Sequence, residues 1–133
     1  MIKMSNKKYK KMRLVGKIAF FWLIMSVFVD LGSIALSQAC ILPQNHLQIE
    51  NDSFFCSGKF NLERGIVISQ NNISLDCNNA SITGNGLGYG ILAKDKEGIT
   101  IKNCNIANYE LGIYLESTNN SLIEKNHLSK NKF

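Results

Sequence analysis

Basic residues are scarce over most of this sequence, although its formal net charge is +5. Residues 1–39 hold seven Lys and Arg and one acid, whereas residues 40–133 hold eight basic and nine acidic residues, a balance of −1. A protein that binds nucleic acid needs a basic face on its folded domain, so the sequence excludes this class of partner. A length of 133 residues also excludes a multidomain protein.

Met, Trp, His and Pro are also rare or absent after residue 39. This part has no Met and no Trp, and its only Pro is Pro43. It has no Cys-x-x-Cys or His-x-x-x-His spacing, which excludes a zinc site of the usual kind, and His46 and His127 alone make poor copper ligands. No window carries apolar residues at helical spacing over the length of a helix. We therefore expect neither helix nor cofactor in this part.

Residues 1–39 have the three zones of a secretory signal peptide. A basic stretch comes first, an apolar run follows at Ile18–Val29, and small residues end the segment at Ser37–Ala39. An uncleaved membrane anchor is the alternative, although Asp30 inside it is unfavourable in a bilayer. A lipid anchor on Cys40 is a third interpretation. Each predicts a secreted, periplasmic or cell-surface protein that contacts a membrane only through this leader.

Four cysteines form an even set in the exported part: Cys40, Cys56, Cys77 and Cys104. In an exported chain such a set predicts disulfides, and the sequence does not choose among the three pairings. Cys40 and Cys56 flank a short segment, so their pairing is the simplest. Cys77 and Cys104 then either form a second disulfide or stay as buried thiols, which behave as small hydrophobic residues.

A repeat of about 22 residues runs through the rest of the chain. The pattern Gly-Ile-x-apolar recurs at 65–68, 90–93 and 112–115, and two further short apolar runs follow each copy. The offset is 22 residues between the last two copies and 24 to 26 between the first two, so the loops there differ in length. Periods of 20–50 residues are typical of solenoids.

Each copy of the repeat has strand character. Apolar residues alternate with polar ones over short runs, and Asn, Gly, Ser and Asp fill the gaps. Three strands per copy predict one rung of a parallel β-helix, in which equivalent residues stack in columns. The predicted apolar columns are Ile66/Ile91/Ile113, Ile68/Ala93/Leu115, Ile73/Ile99/Ser121, Leu75/Ile101/Ile123 and Ile82/Ile106/Leu128. Asn72, Gly98 and Asn120 precede the second strand, where a sharp corner needs a left-handed residue.

The predicted fold class is therefore all-β. About three rungs occupy residues 65–133, and a cap occupies residues 40–64. A leucine-rich repeat fits less well, because the first Leu of its motif is replaced by Gln70, Lys96 and Thr118 in the three copies.

Seven segments carry a family resemblance: Cys56–Gly58, Gly65–Ile68, Asn72–Asp76, Ile82–Gly84, Tyr89–Ile91, Ile99–Cys104 and Leu111–Leu115. They resemble right-handed parallel β-helix repeat proteins, especially the NosD-like group, over residues 52–133. The resemblance implies an exported microbial protein and a right-handed β-helix. Its members include carbohydrate-binding and sugar-hydrolase-type modules, surface proteins and periplasmic proteins linked to copper-site maturation.

Members of that group are usually longer than this chain. We therefore expect a truncated chain whose C-terminal strand edge is uncapped, and whose partners include further β-helix rungs or another copy of itself.

Candidate site residues lie on the predicted outer surface. Tyr114 should face outward on the first sheet, in one column with Val67 and Leu92, while Lys94 and Glu116 should meet across adjacent rungs as an ion pair. Tyr114, Glu116 and Lys94 are therefore the candidate glycan contacts. Asp76 and Lys102 should pair in the same way. Four Asn-x-Ser/Thr sequences are candidate N-glycosylation sites, namely Asn51, Asn72, Asn79 and Asn119.

Three functions are compatible with these features of the sequence. We favour a non-catalytic structural or glycan-binding protein whose partner is a polysaccharide or a cell-surface glycan. A truncated polysaccharide-processing enzyme, lyase-like or hydrolase-like, and a copper-site maturation factor are the alternatives. No pair of facing carboxylates and no set of metal ligands is visible, so we assign no catalytic residue and no metal ligand.

Overall fold

A computed structural model describes residues 39–133, and all regular structure in this part is β-strand. The predicted leader lies outside the described residues except for Ala39. The strands are β1 (Gln48–Ile49), β2 (Ser53–Phe54), β3 (Lys59–Asn61), β4 (Ile66–Ile68), β5 (Ser74–Asp76), β6 (Ser81–Thr83), β7 (Tyr89–Lys94), β8 (Thr100–Lys102), β9 (Asn105–Ala107), β10 (Leu111–Glu116), β11 (Leu122–Glu124) and β12 (His127–Ser129). Within this part of the chain, no helix has the length and apolar character to span a bilayer.

The twelve strands form three parallel sheets that wind into a solenoid. The first sheet has the order β1-β4-β7-β10, the second β2-β5-β8-β11 and the third β3-β6-β9-β12. Each strand pairs with the strand three places along the chain, so every turn contributes one strand to each sheet. This confirms the predicted all-β parallel solenoid.

The solenoid has four turns, one more than the three copies of the repeat. Residues 40–64, assigned above to a cap, supply β1, β2 and β3, which pair in register with β4, β5 and β6. The Gly-Ile-x-apolar pattern is absent from this segment, and its strands β1 and β2 are only two residues long. Its inward positions are taken by Ile49, Ser53 and Phe55, all buried.

The predicted columns are confirmed by the register of the sheets. Ile66, Ile91 and Ile113 are successive partners in the first sheet. Leu75, Ile101 and Ile123 are partners in the second sheet, and Ile82, Ile106 and Leu128 in the third. These positions of the two central turns are fully buried. Since side chains alternate along a strand, the residues between them face solvent.

Asparagine supplies many of the corners between sheets. Asn72, Gly98 and Asn120 have φ values of 56°, 68° and 51°, as their shared position predicts. Between residues 39 and 133, six of the eleven non-glycine residues with positive φ are Asn. Asn tolerates this conformation better than most residues, which accounts for much of the Asn content of the chain.

One aromatic residue between β9 and β10 belongs to the core. Tyr109 is fully buried, and its hydroxyl donates a 2.6 Å hydrogen bond to the carbonyl oxygen of Leu62. A Cβ atom at Gly84 would collide with the Tyr109 ring, so this glycine makes room for it. Burial raises the pKa of Tyr109 to about 12.

Two disulfides cross-link the corner between the second and third sheets. The predicted Cys40–Cys56 pair is confirmed, and Cys77 pairs with Cys104. The interpretation of Cys77 and Cys104 as free thiols is therefore wrong. Their Cα atoms lie 4.8 Å apart because the corner brings them together on successive turns.

Candidate functional site

The outer face of the first sheet differs from the outer faces of the other two. Val67, Leu92 and Tyr114 are successive partners on it, as predicted. The equivalent outward columns of the other sheets are mainly polar: Ser74/Thr100 and Asp76/Lys102 on the second, and Ser81/Asn105 and Thr83/Ala107 on the third. This row of apolar side chains makes the outer face of the first sheet the candidate contact surface.

A groove of about 460 Å³ lies at one end of this apolar row, at the corner where the third sheet leads into the first. It is lined by His46, Glu63, Arg64, Gly65, Ile66, Val67, Asn85, Leu87, Gly88, Tyr89 and Leu92. The volume is within the roughly 300–1,000 Å³ of small-ligand sites. Apolar side chains with a few polar groups among them are the usual lining of such sites.

One wall of the groove is a long corner loop. Residues 84–88 connect β6 to β7 with five residues, whereas residues 108–110 connect β9 to β10 with three. The loop is fixed by a 2.7 Å hydrogen bond from Gly86 N–H to the carbonyl oxygen of Asn108. Within the loop, Leu87 N–H donates to Asn85 Oδ1 at 3.2 Å. Leu87 is 61% exposed, so the longer loop holds an aliphatic side chain in solvent beside the groove.

The other wall is the corner between β3 and β4. A Cβ atom at Gly65 would collide with the backbone carbonyl oxygens of Tyr89 and Gly90, so this glycine allows the two corners to approach. Arg64 N–H donates to Asn45 Oδ1 at 3.1 Å, and the Arg64 carbonyl oxygen accepts from His46 N–H at 3.1 Å. These backbone bonds fix the segment that carries the Arg64 side chain.

Tyr89 forms the aromatic part of the groove. Its ring stacks on that of Tyr114, with centroids 5.0 Å apart and planes inclined by 13°. Tyr89 lines the groove and is 40% exposed, whereas Tyr114 does not line it. The Tyr89 ring is therefore the member of the stacked pair that faces the groove. The Tyr114 ring packs against it from the neighbouring strand, β10. Tyr89 was not among the candidate glycan contacts predicted from the sequence, and the signal available was the length drift of the repeat just before it.

Lys94 and Glu116 lie at the other end of β7 and β10 and do not line the groove. The predicted pairing between them is confirmed by a 2.8 Å contact from Nζ to Oε1. The hydrogen bond to Glu116 and the nearby carboxylate charge raise the pKa of Lys94. Both side chains are exposed, so this pair is a surface ion pair between successive turns.

The second predicted pair lies on the second sheet. Lys102 Nζ is 3.6 Å from Asp76 Oδ2, and Asp76 Oδ1 accepts hydrogen bonds from Asn103 Nδ2 and Asn78 N–H, each at 2.9 Å. Partial burial works to raise the pKa of Asp76. The hydrogen bonds from Asn103 and Asn78, together with Lys102, outweigh it and lower this pKa below its ordinary value.

The four predicted N-glycosylation residues are exposed in the structure: Asn51, Asn72, Asn79 and Asn119. None of them lines the groove. Their modification remains a prediction.

A protein-family model matches residues 40–133, and its description is "Periplasmic copper-binding protein (NosD)". The chain belongs to the NosD family. No curated protein and no solved structure gave a significant match. The periplasmic description of the NosD family, together with two disulfides, points to a location outside the cytoplasm.

The described residues do not fit the copper site that the family description implies. Their four cysteines are all in disulfides, and they include no Met. His46 precedes β1 in the first turn, whereas His127 lies in β12 of the last turn. No group of three or more metal-binding side chains occurs between residues 39 and 133. Copper prefers such clustered imidazole and sulfur ligands.

Proposed function

We propose that this NosD family member is an exported β-solenoid that binds a glycan in the groove beside Tyr89. The single observation that carries the proposal is the ring of Tyr89, exposed in the groove and backed by Tyr114 at a stacking distance. A pyranose ring has one face of C–H bonds and an edge of hydroxyl groups. A fixed aromatic ring with polar groups around it can contact both.

The polar lining of the groove suits hydroxyl groups. Arg64 supplies donors, Glu63 supplies acceptors, and Asn85 and His46 supply further polar atoms. The two charged residues have opposite signs, so the lining matches a ligand with many neutral donors and acceptors. Glycoside hydrolysis uses a pair of carboxylates, and this lining includes one, Glu63, which favours binding over bond cleavage.

Isothermal titration calorimetry with soluble oligosaccharides tests the proposal. We expect measurable binding to the purified protein and at least a 30-fold loss of affinity for Tyr89→Ala, since a central aromatic contact contributes about 2 kcal/mol or more. Tyr89→Phe should retain most of the affinity because it keeps the ring. Tyr114→Ala should weaken binding less, because Tyr114 acts by positioning Tyr89.

Phe54→Ala is the matched control. Phe54 is an outward aromatic residue of the second sheet, paired in register with Asp76, and it does not line the groove. We expect this variant to bind as the parent does. If Phe54→Ala lost as much affinity as Tyr89→Ala, or if a broad set of glycans failed to bind, the proposed site would be wrong.

A further inference from the structure

The groove contains a feature that a plain sugar does not explain. Its lining includes an aliphatic floor, defined here as Val67 and Leu92, which face outward as register partners. Leu87 adds a third aliphatic side chain from the corner loop. Hydroxyl groups gain nothing from aliphatic surface, since each one needs hydrogen-bond partners. A methyl group, in contrast, is stabilised by such a surface.

An amide donor lines the same groove. Asn85 is exposed and lines the groove, and its Oδ1 atom is committed to the N–H of Leu87 at 3.2 Å. The donor half of the amide, Nδ2, is therefore what Asn85 can offer to a ligand. The groove thus combines an aromatic wall, an aliphatic floor and an amide donor in about 460 Å³.

From this combination, and resting on the proposed glycan-binding function, we infer that the ligand is an N-acetylated amino sugar. The C–H face of the sugar ring lies on Tyr89, the acetamido methyl group contacts Val67 and Leu92, and the acetamido carbonyl oxygen accepts from Asn85 Nδ2. A uronic acid is disfavoured, because Glu63 stands next to Arg64 in the lining and offsets its charge. A plain hexose leaves the aliphatic floor without a partner.

Two trisaccharides with the same β-1,4 linkage test this inference: one of N-acetylglucosamine and one of glucose. They differ at the acetamido group, so the ratio of their affinities reports this group alone. We expect the N-acetylated trisaccharide to bind at least tenfold more tightly, because a methyl group and a hydrogen bond together discriminate at this level. Equal affinities would overturn the inference while leaving the proposed function standing. Failure of both trisaccharides to bind, while another glycan binds in the groove, would overturn the inference alone. The proposed function falls only if the broad set of glycans fails to bind as well.

Two variants locate the preference in the groove. Val67→Thr replaces one outward methyl group with a hydroxyl group and keeps the branched shape suited to a strand. Asn85→Asp keeps the acceptor for Leu87 N–H and removes the Nδ2 donors. Each should reduce the tenfold preference toward unity while the affinity for the glucose trisaccharide changes less than threefold. Thr100→Val, an outward change on the second sheet, is the control and should leave the ratio unchanged. An unaltered preference in both groove variants would show that the acetamido group binds elsewhere.

Discussion

The first and second sheets are both built from four parallel strands, but their outward side chains differ in polarity. On the second sheet the outward columns are polar in the two central turns, at Ser74/Thr100 and Asp76/Lys102, and apolar side chains occur only in the end turns, at Phe54 and Leu122. On the first sheet the corresponding column is Val67, Leu92 and Tyr114. The inward columns of both sheets are aliphatic and buried, so the difference does not come from the core. It lies in the outward side chains alone.

Two corners of the solenoid also differ from each other. The corner between the second and third sheets carries both disulfides, and Cys77 and Cys104 are fully buried there. The corner between the third and first sheets carries the longer loop and the groove. One corner therefore cross-links the turns, and the other opens a concave surface.

The largest effects should come from the core and should be alike in all sheets. Ile91→Ala, Ile101→Ala and Ile106→Ala each remove a fully buried side chain from a different sheet. We expect each to lower the free energy of unfolding by about 2–5 kcal/mol, measured by urea denaturation. If one of the three variants lost far less free energy of unfolding than the others, the inward face of its sheet would not be an equivalent part of the core, and the comparison would fail.

Disulfide removal should give the next largest effect. The Cys77–Cys104 and Cys40–Cys56 bonds close loops with sequence separations of 27 and 16 residues. Chain-entropy arguments predict losses of about 3.5 and about 3 kcal/mol when each pair is replaced by Ala. Neither pair lines the groove, so folded variants should keep the affinity for the oligosaccharide. Loss of affinity in a folded variant would show that the disulfide corner and the groove are coupled.

Alkaline pH should destabilise the protein through Tyr109. Its pKa is raised from 10.0 to about 12 by burial, so the unfolded chain loses the hydroxyl proton first. Stability is full below pH 10 and falls by about 2–3 kcal/mol as the pH rises toward 12. Tyr109→Phe should be less stable at neutral pH because it loses the hydrogen bond to Leu62. Its free energy of unfolding should fall less than that of the parent between pH 10 and 12. Tyr114→Phe is the control and should lose stability at alkaline pH as the parent does. If Tyr109→Phe lost as much stability as the parent over this pH range, the assignment to Tyr109 would be wrong.

A smaller effect should appear at acid pH from Asp76 on the polar face. Its pKa is lowered in the folded state, so its contribution is present above about pH 4 and is lost as the pH falls through the folded value. Asp76→Asn keeps an acceptor for Asn78 N–H and removes the charge. We expect it to cost less than about 1 kcal/mol at pH 7, with the difference from the parent vanishing in acid. A difference that persists at low pH would point to packing instead of charge.

The smallest effect on stability should come from the apolar row itself. Leu92→Thr replaces an outward, partly exposed side chain on the first sheet, where Thr suits a strand. We expect the free energy of unfolding to change by less than about 0.5 kcal/mol, as for most surface substitutions, while oligosaccharide affinity falls. A loss of several kcal/mol would mean that the row stabilises the fold, and the contrast between the two outer faces would lose its functional meaning.

The sequence was sufficient to predict the stacking of the solenoid. The 22-residue period and the alternation of Ile with polar residues fix which side chains share a column, and Asn72, Gly98 and Asn120 mark a corner by their tolerance of positive φ. The ion pairs between successive turns followed from the same register.

The first turn and the groove were harder to predict, for separate physical reasons. In residues 40–64, β1 and β2 have only two residues each, too few to show an alternation of apolar and polar side chains. The groove depends on two corners meeting in space, with Gly65 against the backbone of Tyr89. The pairing of Cys77 with Cys104 likewise depends on a corner whose geometry the sequence does not specify.

Hydrogen–deuterium exchange of the purified protein, with and without the two trisaccharides together, tests the central claim most directly. Glycan binding in the groove should slow exchange at residues 63–67 and 84–89, which form its two walls, and leave residues 100–107 unchanged. Slower exchange confined to residues 100–107 of the second and third sheets, or no change anywhere, would contradict the assignment of the first-sheet groove as the binding site.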